Sequence, residues 1–193
     1  MAQVEEKTVD LRIRRTKKML QDAFMALMAE KTFADITVQD ITERAMVNRG
    51  TFYDHFADKQ TLAEYSLRQM FRAALNRTLP ADFAFTPDNL GLLILATCEF
   101  MSDVYSRCLP SQRTEFPVNL QTQITALVQE ILTKWFRAAH ASNRQDAADL
   151  AASVTSWAIF GAALHWSQSD RSEPADAFVP RVLPIILAGV SPA

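Results

Sequence analysis

Arg49, Thr51, Tyr53 and His55 fall within seven residues and are interleaved with Gly50, Phe52 and Asp54. A guanidinium, a hydroxyl, a phenol and an imidazole are hydrogen-bonding groups suited to base edges and phosphate oxygens. Arg49 has the planar fork that matches guanine bidentately. If the segment is helical, Phe52 and Phe56 lie at i and i+4 on an inward face and leave Arg49, Thr51, Tyr53 and His55 outward or sideways. Gly50 has no Cβ, so a phosphate or base can approach its backbone closely. Asn48 is a candidate N-cap for this short helix, which the spacing carries through Phe56.

The rest of the chain offers little for catalysis. There is no nucleophile motif, no phosphate-cradling glycine loop and no HExxH, and the four glycines are isolated. The three histidines, at 55, 140 and 165, lack ligand-like spacing. No enzyme activity, catalytic residue, metal or cofactor is expected. Cys98 and Cys108, ten residues apart on one predicted helix, would be about 15 Å apart along its axis and cannot bridge. They read as small buried hydrophobes in a reducing compartment.

The elements that must position the donors are helical. The chain has 193 residues, 49% hydrophobic and 22% charged, enough for a core without staples. Few glycines and no alternating β-branched runs argue against a sheet. Apolar spacing predicts a helix from Leu20 to near Lys31, a short helix capped at Thr37 that carries Ile41 and Ala45 inward, the helix begun at Asn48, and a longer one capped at Asp58. Further helices are predicted over Leu90 to Arg107, Leu120 to Phe136, Arg144 to Gln168, and Phe178 to Val190, with Pro180 and Pro184 kinking or splitting the last. The fold class is all-α, with about nine helices.

Charge supports the same focus. Residues 1–77 carry 13 basic against 11 acidic side chains and residues 78–193 carry 7 against 11, so the N-terminal third is the basic third. Arg12, Arg14, Arg15, Lys17 and Lys18 form a cluster in which the first predicted helix starts. The longest uninterrupted apolar run, Trp157 to Leu164, is too short for a membrane span, and acids stand where a secretory signal would carry bases. A cytoplasmic protein with no membrane partner is expected.

The stretch from Phe33 to Leu62, with Gly-Thr-Phe-Tyr-Asp-His-Phe-Ala-Asp-Lys at 50–59, closely resembles the DNA-binding signature of TetR/AcrR-type bacterial transcriptional regulators. The resemblance covers roughly residues 11–75. It implies an N-terminal helix-turn-helix domain at 1–57 and a helical ligand-binding and dimerisation domain at 58–193. It further implies a homodimer on a palindromic double-stranded DNA operator, most often a repressor, released by a small apolar or aromatic effector. Carried over by residue, Arg49 reads base edges from the face formed by Asn48, Gly50, Thr51 and Tyr53. Thr37, Thr51, Tyr53, His55 and Lys59 hold phosphate, and Arg15 stands for the basic tail. Effector candidates are Phe100, Trp135, Trp157 and Phe160, with Asp103 and His165 as polar partners. The region Leu150–Leu164 and the segment 178–190 would form the dimer interface.

Two positions depart from the family pattern: Met46 stands where the turn usually has Gly, and Thr32 where Gly often precedes the aromatic. A positive φ at Met46 would cost about 1 kcal/mol or more relative to Gly. The near-neutral recognition segment and Met46 leave open a second reading, a ligand-binding or scaffold protein of the same fold with weak or lost DNA binding.

Overall fold

Thr37 opens a helix because its hydroxyl accepts from the Asp40 backbone N–H at 3.1 Å while Asp40 Oδ2 accepts from the Thr37 backbone N–H at 2.8 Å, a reciprocal capping box. Asn48 and Asp58 are one-way caps, each with Oδ1 accepting from a threonine N–H at 2.7 Å. These caps fix three short-range starts in the computed structural model, which describes residues 2–80, 84–107, 120–139, 145–169 and 173–190.

In chain order the helices are α1 (Ala2–Met28), α2 (Val38–Ala45), α3 (Arg49–Tyr53), α4 (Lys59–Thr78), α5 (Pro87–Arg107), α6 (Leu120–Ala139), α7 (Gln145–Gln168) and α8 (Ala175–Val190). Eight helices and no strand form among the described residues, close to the nine expected. Two compact units result. One is built on α1, α2, α3 and the start of α4 through Leu67, together with Ser106 and Arg107 at the end of α5; the other holds Arg68 to Tyr105 and α6, α7 and α8.

The first unit closes around Leu20, Ile36, Ile41, Phe52 and Leu62, all fully buried, with Phe24, Leu27 and Phe56 nearly so. Phe33 meets Phe24 edge-on at 6.1 Å between centroids. Arg44 forks onto Glu30 with bonds of 2.9 and 2.7 Å, tying α2 to the turn that follows α1. In the second unit, α6 packs along α7 and Arg137 forks onto Asp149. Cys98 is buried, and desolvation pushes its thiol up to about 12, which suits an inert core residue. Cys108 lies outside the described residues.

Three boundaries differ from the periodicity. α1 begins at Ala2, well before the basic cluster in which the spacing starts it, because the interspersed acids and bases from Glu5 to Lys18 gave no apolar stripe to read. α3 ends at Tyr53, where Asp54 is its C-cap. α8 runs unsplit through both prolines. Pro180 and Pro184 are four apart and exposed, as are Asp176 and Pro180, the residues whose carbonyls lose their partners, so water can satisfy those groups.

The turn between α2 and α3 carries the one positive φ among non-glycine residues described, Met46 at φ 54° and ψ 42°. Its side chain is 86% exposed and contributes no packing to offset the strain. Met46→Gly is therefore expected to raise unfolding free energy by about 1 kcal/mol, read by urea denaturation, whereas Met46→Ala should leave it nearly unchanged. A loss on Met46→Gly would contradict strain at this turn.

Candidate nucleic-acid interface

The turn from Met46 to Asn48 sets α3 directly after α2, and Phe52 anchors it by burying its whole side chain. Phe52 also meets Tyr53 edge-on at 5.4 Å and Phe56 at 6.0 Å. With that face committed inward, the opposite face is left to solvent. Arg49 and Gly50 are exposed, Thr51 and His55 are half-buried, and Tyr53 is 51% exposed. No hydrogen bond or ion pair engages Arg49 among the described residues, so its five N–H donors are available.

Asn48 and Thr51 are partly engaged with each other. The Asn48 Oδ1 accepts from the Thr51 N–H at 2.7 Å and from its hydroxyl at 3.0 Å. A Cβ on Gly50 would come within 3.2 Å of that same Oδ1. Gly50 thus keeps the cap uncrowded in addition to baring the backbone, a role its sequence context did not reveal.

Two expected phosphate donors have other work. Lys59, at the first turn of α4, sends its ammonium to the carbonyls of Phe33, Ala34 and Ile36 at 2.7, 3.1 and 2.7 Å, and lies 4.6 Å from the Phe33 ring centroid. Three N–H bonds meet three acceptors, which leaves none for phosphate in this arrangement. The Thr37 hydroxyl donates to Asp40 Oδ2 at 2.8 Å. Asp40 itself is held well below the usual carboxylate range, chiefly by the Lys31 ammonium at 2.9 Å and then by Thr37. A carboxylate therefore already occupies the start of α2, and without DNA present the Lys59 ammonium and the Thr37 hydroxyl are both engaged within the first unit.

On α1, Arg12, Arg14 and Arg15 are exposed. Lys18 pairs with Asp22 at 2.9 Å, and Lys17 lies over the rings of Phe56 and Tyr65 at 5.9 and 5.4 Å. Lys17 is thus drawn towards the aromatic end of the turn region, whereas Arg12 and Arg15 keep their charge in solvent. The surface has base-edge donors on one short helix and an exposed basic stretch on another, the combination required to recognise duplex nucleic acid.

The six effector candidates do not converge. Phe100 is buried against Phe71 with centroids 4.8 Å apart, Trp135 packs on Phe85 at 6.0 Å, and Phe160 is buried in α7. Asp103 is half-buried on α5, whereas His165 is exposed and Trp157 is 50% exposed. Trp157 and His165 thus face away from the core that Phe100, Trp135 and Phe160 fill. Because α7 is apolar on nearly every side, its pattern could not separate inward from outward. No group of histidine, cysteine and acidic side chains able to hold a metal occurs among the described residues.

Residues 20–65 match the model of the family described as bacterial regulatory proteins, tetR family. A curated relative, an uncharacterized HTH-type transcriptional regulator YxbF of Bacillus subtilis, is 36% identical over 96 residues, which is 47% of this chain and 25% of the relative. The match thus spans about a quarter of that relative's length. Among solved structures, the dihydroxyacetone kinase operon activator DhaS aligns with a TM-score of 0.58 at 19% identity, covering 91% of this chain and 96% of DhaS. RolR in complex with resorcinol aligns with a TM-score of 0.55 at 16% identity, covering 95% and 96%. At these identities the shared property is the fold.

Proposed function

We propose that this chain, whose first unit carries the tetR-family helix-turn-helix segment, is a DNA-binding transcriptional regulator that acts as a ligand-responsive homodimer. The observation that carries the reading is the outward face of α3, with Arg49 unengaged and Tyr53 exposed beside a buried Phe52 anchor. In this reading Arg49 reads a base edge in the major groove, while Tyr53, Thr51 and His55 touch the backbone around it. Arg15 and its neighbours on α1 supply phosphate neutralisation. Asn48 and Gly50 act through the cap that fixes where α3 begins.

A two-fold partner is supported by α7. Its 18-residue window has a mean hydropathy of 1.4, apolar enough by length and composition for a membrane span, yet Ala148, Ala152, Ile159, Phe160 and Ala163 already face the core. What remains is an exposed stripe of Leu150, Val154 and Trp157, at 67, 61 and 50% exposure, with Ile185 on α8 at 72%. Further along the stripe, Gly161 has nothing within 4 Å of where a Cβ would lie, which allows a second helix to approach closely. A second copy of this chain is the occupant that makes a four-helix interface and gives two recognition helices one DNA turn, about 34 Å, or a multiple apart.

Repression is the sign of regulation the family resemblance implies, by occupancy of the operator. Release then requires an effector with higher affinity for a state whose heads no longer fit both half-sites. That RolR binds resorcinol, on a similar fold, favours a small organic effector. The protein acts where the operator is, in the cytoplasm.

Trp157→Glu tests the dimer. Placing a charge in the stripe is expected to yield monomers in sedimentation and to lower duplex affinity by about 100-fold or more, because two linked heads become independent. Helical circular dichroism should be unchanged, since Trp157 does not fill the core. A variant that stays dimeric would remove α7 from the interface.

A further inference from the structure

Between the second half of α4 and α6, the second unit holds a trough of about 590 Å³, a size typical of small-molecule sites. Its floor is apolar, with Leu75, Leu79 and Leu127 buried and Ile131 half-buried. The lining repeats at the same intervals on both sides: Arg72, Leu75 and Asn76 on α4 with Leu79 just past its end, and Leu127, Glu130, Ile131 and Lys134 on α6. Spacing of i, i+3, i+4 and i+7 means that each helix turns one continuous face to the trough. On both helices charged groups border the apolar floor.

At those charges three cations meet one carboxylate. Lys134 Nζ lies 3.2 Å from Glu130 Oε1, while Arg68 and Arg72 approach Glu130 Oε2 at 3.5 and 3.8 Å. The Lys134 hydrogen bond first, and the surrounding positive charges with it, hold the Glu130 carboxyl below its ordinary range. Glu130 is therefore ionised and the cluster retains two uncompensated positive charges. The Arg72 approach is too long for a hydrogen bond, so Glu130 leaves that guanidinium's donors unused. From Arg72 to Leu79, whose N–H still bonds to the Leu75 carbonyl, the floor extends seven residues, about 10 Å.

We propose that this trough binds an amphipathic carboxylate, with its head on Arg72 and Lys134 and its apolar tail along Leu75, Leu79, Leu127 and Ile131. A neutral hydrocarbon would leave the positive charges unanswered, and an apolar tail has the half-buried Ile131 beside the buried leucines to lie against. Glu130 competes with the incoming carboxylate for the same cations and so sets its affinity. The proposal deepens the ligand-responsive reading and rests on it for any effect on DNA. The helix that carries Arg72 is also the one that begins at Lys59.

Octanoate is a suitable probe, with 1-octanol as its uncharged counterpart, titrated calorimetrically into the full chain without DNA. Octanoate is expected to bind with one site per chain and to bind more tightly than octanol. Arg72→Gln should weaken octanoate about tenfold or more, as expected for a lost charge-assisted contact. Glu130→Gln should tighten octanoate several-fold while leaving octanol unchanged. A purely structural ion cluster would not give a tighter ligand when its carboxylate is removed, and the opposite signs of the two variants separate binding from misfolding. No octanoate binding by either the wild type or Glu130→Gln, or octanol binding as tightly as octanoate, would overturn the proposal. Octanoate that binds as described but leaves duplex affinity untouched supports the site and instead counts against the ligand-responsive reading.

Discussion

Replacing Lys59 with methionine is expected to destabilise the first unit by about 3 kcal/mol. Three carbonyls, of Phe33, Ala34 and Ile36, would lose a charged donor, and partly buried hydrogen bonds to charged groups are each worth about 1.5–3 kcal/mol before solvent compensation. Methionine keeps the stem packing on Phe33, so the loss reports the ammonium rather than a cavity. Lys59→Arg should recover little, because a planar guanidinium does not match a tripod of carbonyls. Urea denaturation read by hydrogen exchange in residues 20–65 measures the effect. A phosphate-binding lysine would behave in the opposite way, with stability retained and the salt dependence of DNA binding reduced by about one counterion. That result would return Lys59 to the interface.

Arg49→Ala should have the largest effect on recognition. Loss of one bidentate base contact per head is expected to cost about 1–3 kcal/mol at that position, or roughly ten- to a hundredfold in affinity for the preferred duplex. Non-specific binding should fall much less, and the preference for one base pair in each half-site should relax. Arg15→Gln provides the contrast: it should weaken all duplexes alike and flatten the salt slope by about one. Fluorescence anisotropy against matched and scrambled duplexes at several salt concentrations separates the two. Equal losses on both duplexes for Arg49→Ala would remove it from base reading.

Local chemistry was legible in the sequence because it is decided within a few residues. The caps at Thr37, Asn48 and Asp58 depend on a side chain and an N–H three residues on, and the placement of Phe52 and Phe56 depends on helical spacing alone. The exposed face of Arg49 and Tyr53 follows from the same spacing. Met46 was visible as a departure because the family pattern that the sequence resembles has glycine at that turn position.

What escaped the sequence depends on distance along the chain. Lys59 finds its carbonyls 23 to 26 residues earlier, in a loop whose path no periodicity describes, so its charge reads as a phosphate contact until the loop is placed. The trough residues show the converse problem. Arg72, Glu130 and Lys134 look like solvated charges on separate helices, and only the packing of α4 beside α6 gathers them over an apolar floor. Trp157 and Phe160, three residues apart on α7, are equally apolar to a sequence reading. Which of them faces the core is settled by where α6 lies.

The central claim, that two copies of this chain read duplex DNA through α3, is tested most directly by selecting bound duplexes from a random-sequence pool with the wild-type protein. Enrichment of an inverted repeat, with half-site centres one DNA turn or a whole multiple of it apart, is the predicted result. A pool that returns no enriched sequence, or a single unrepeated site bound by one chain, would contradict it.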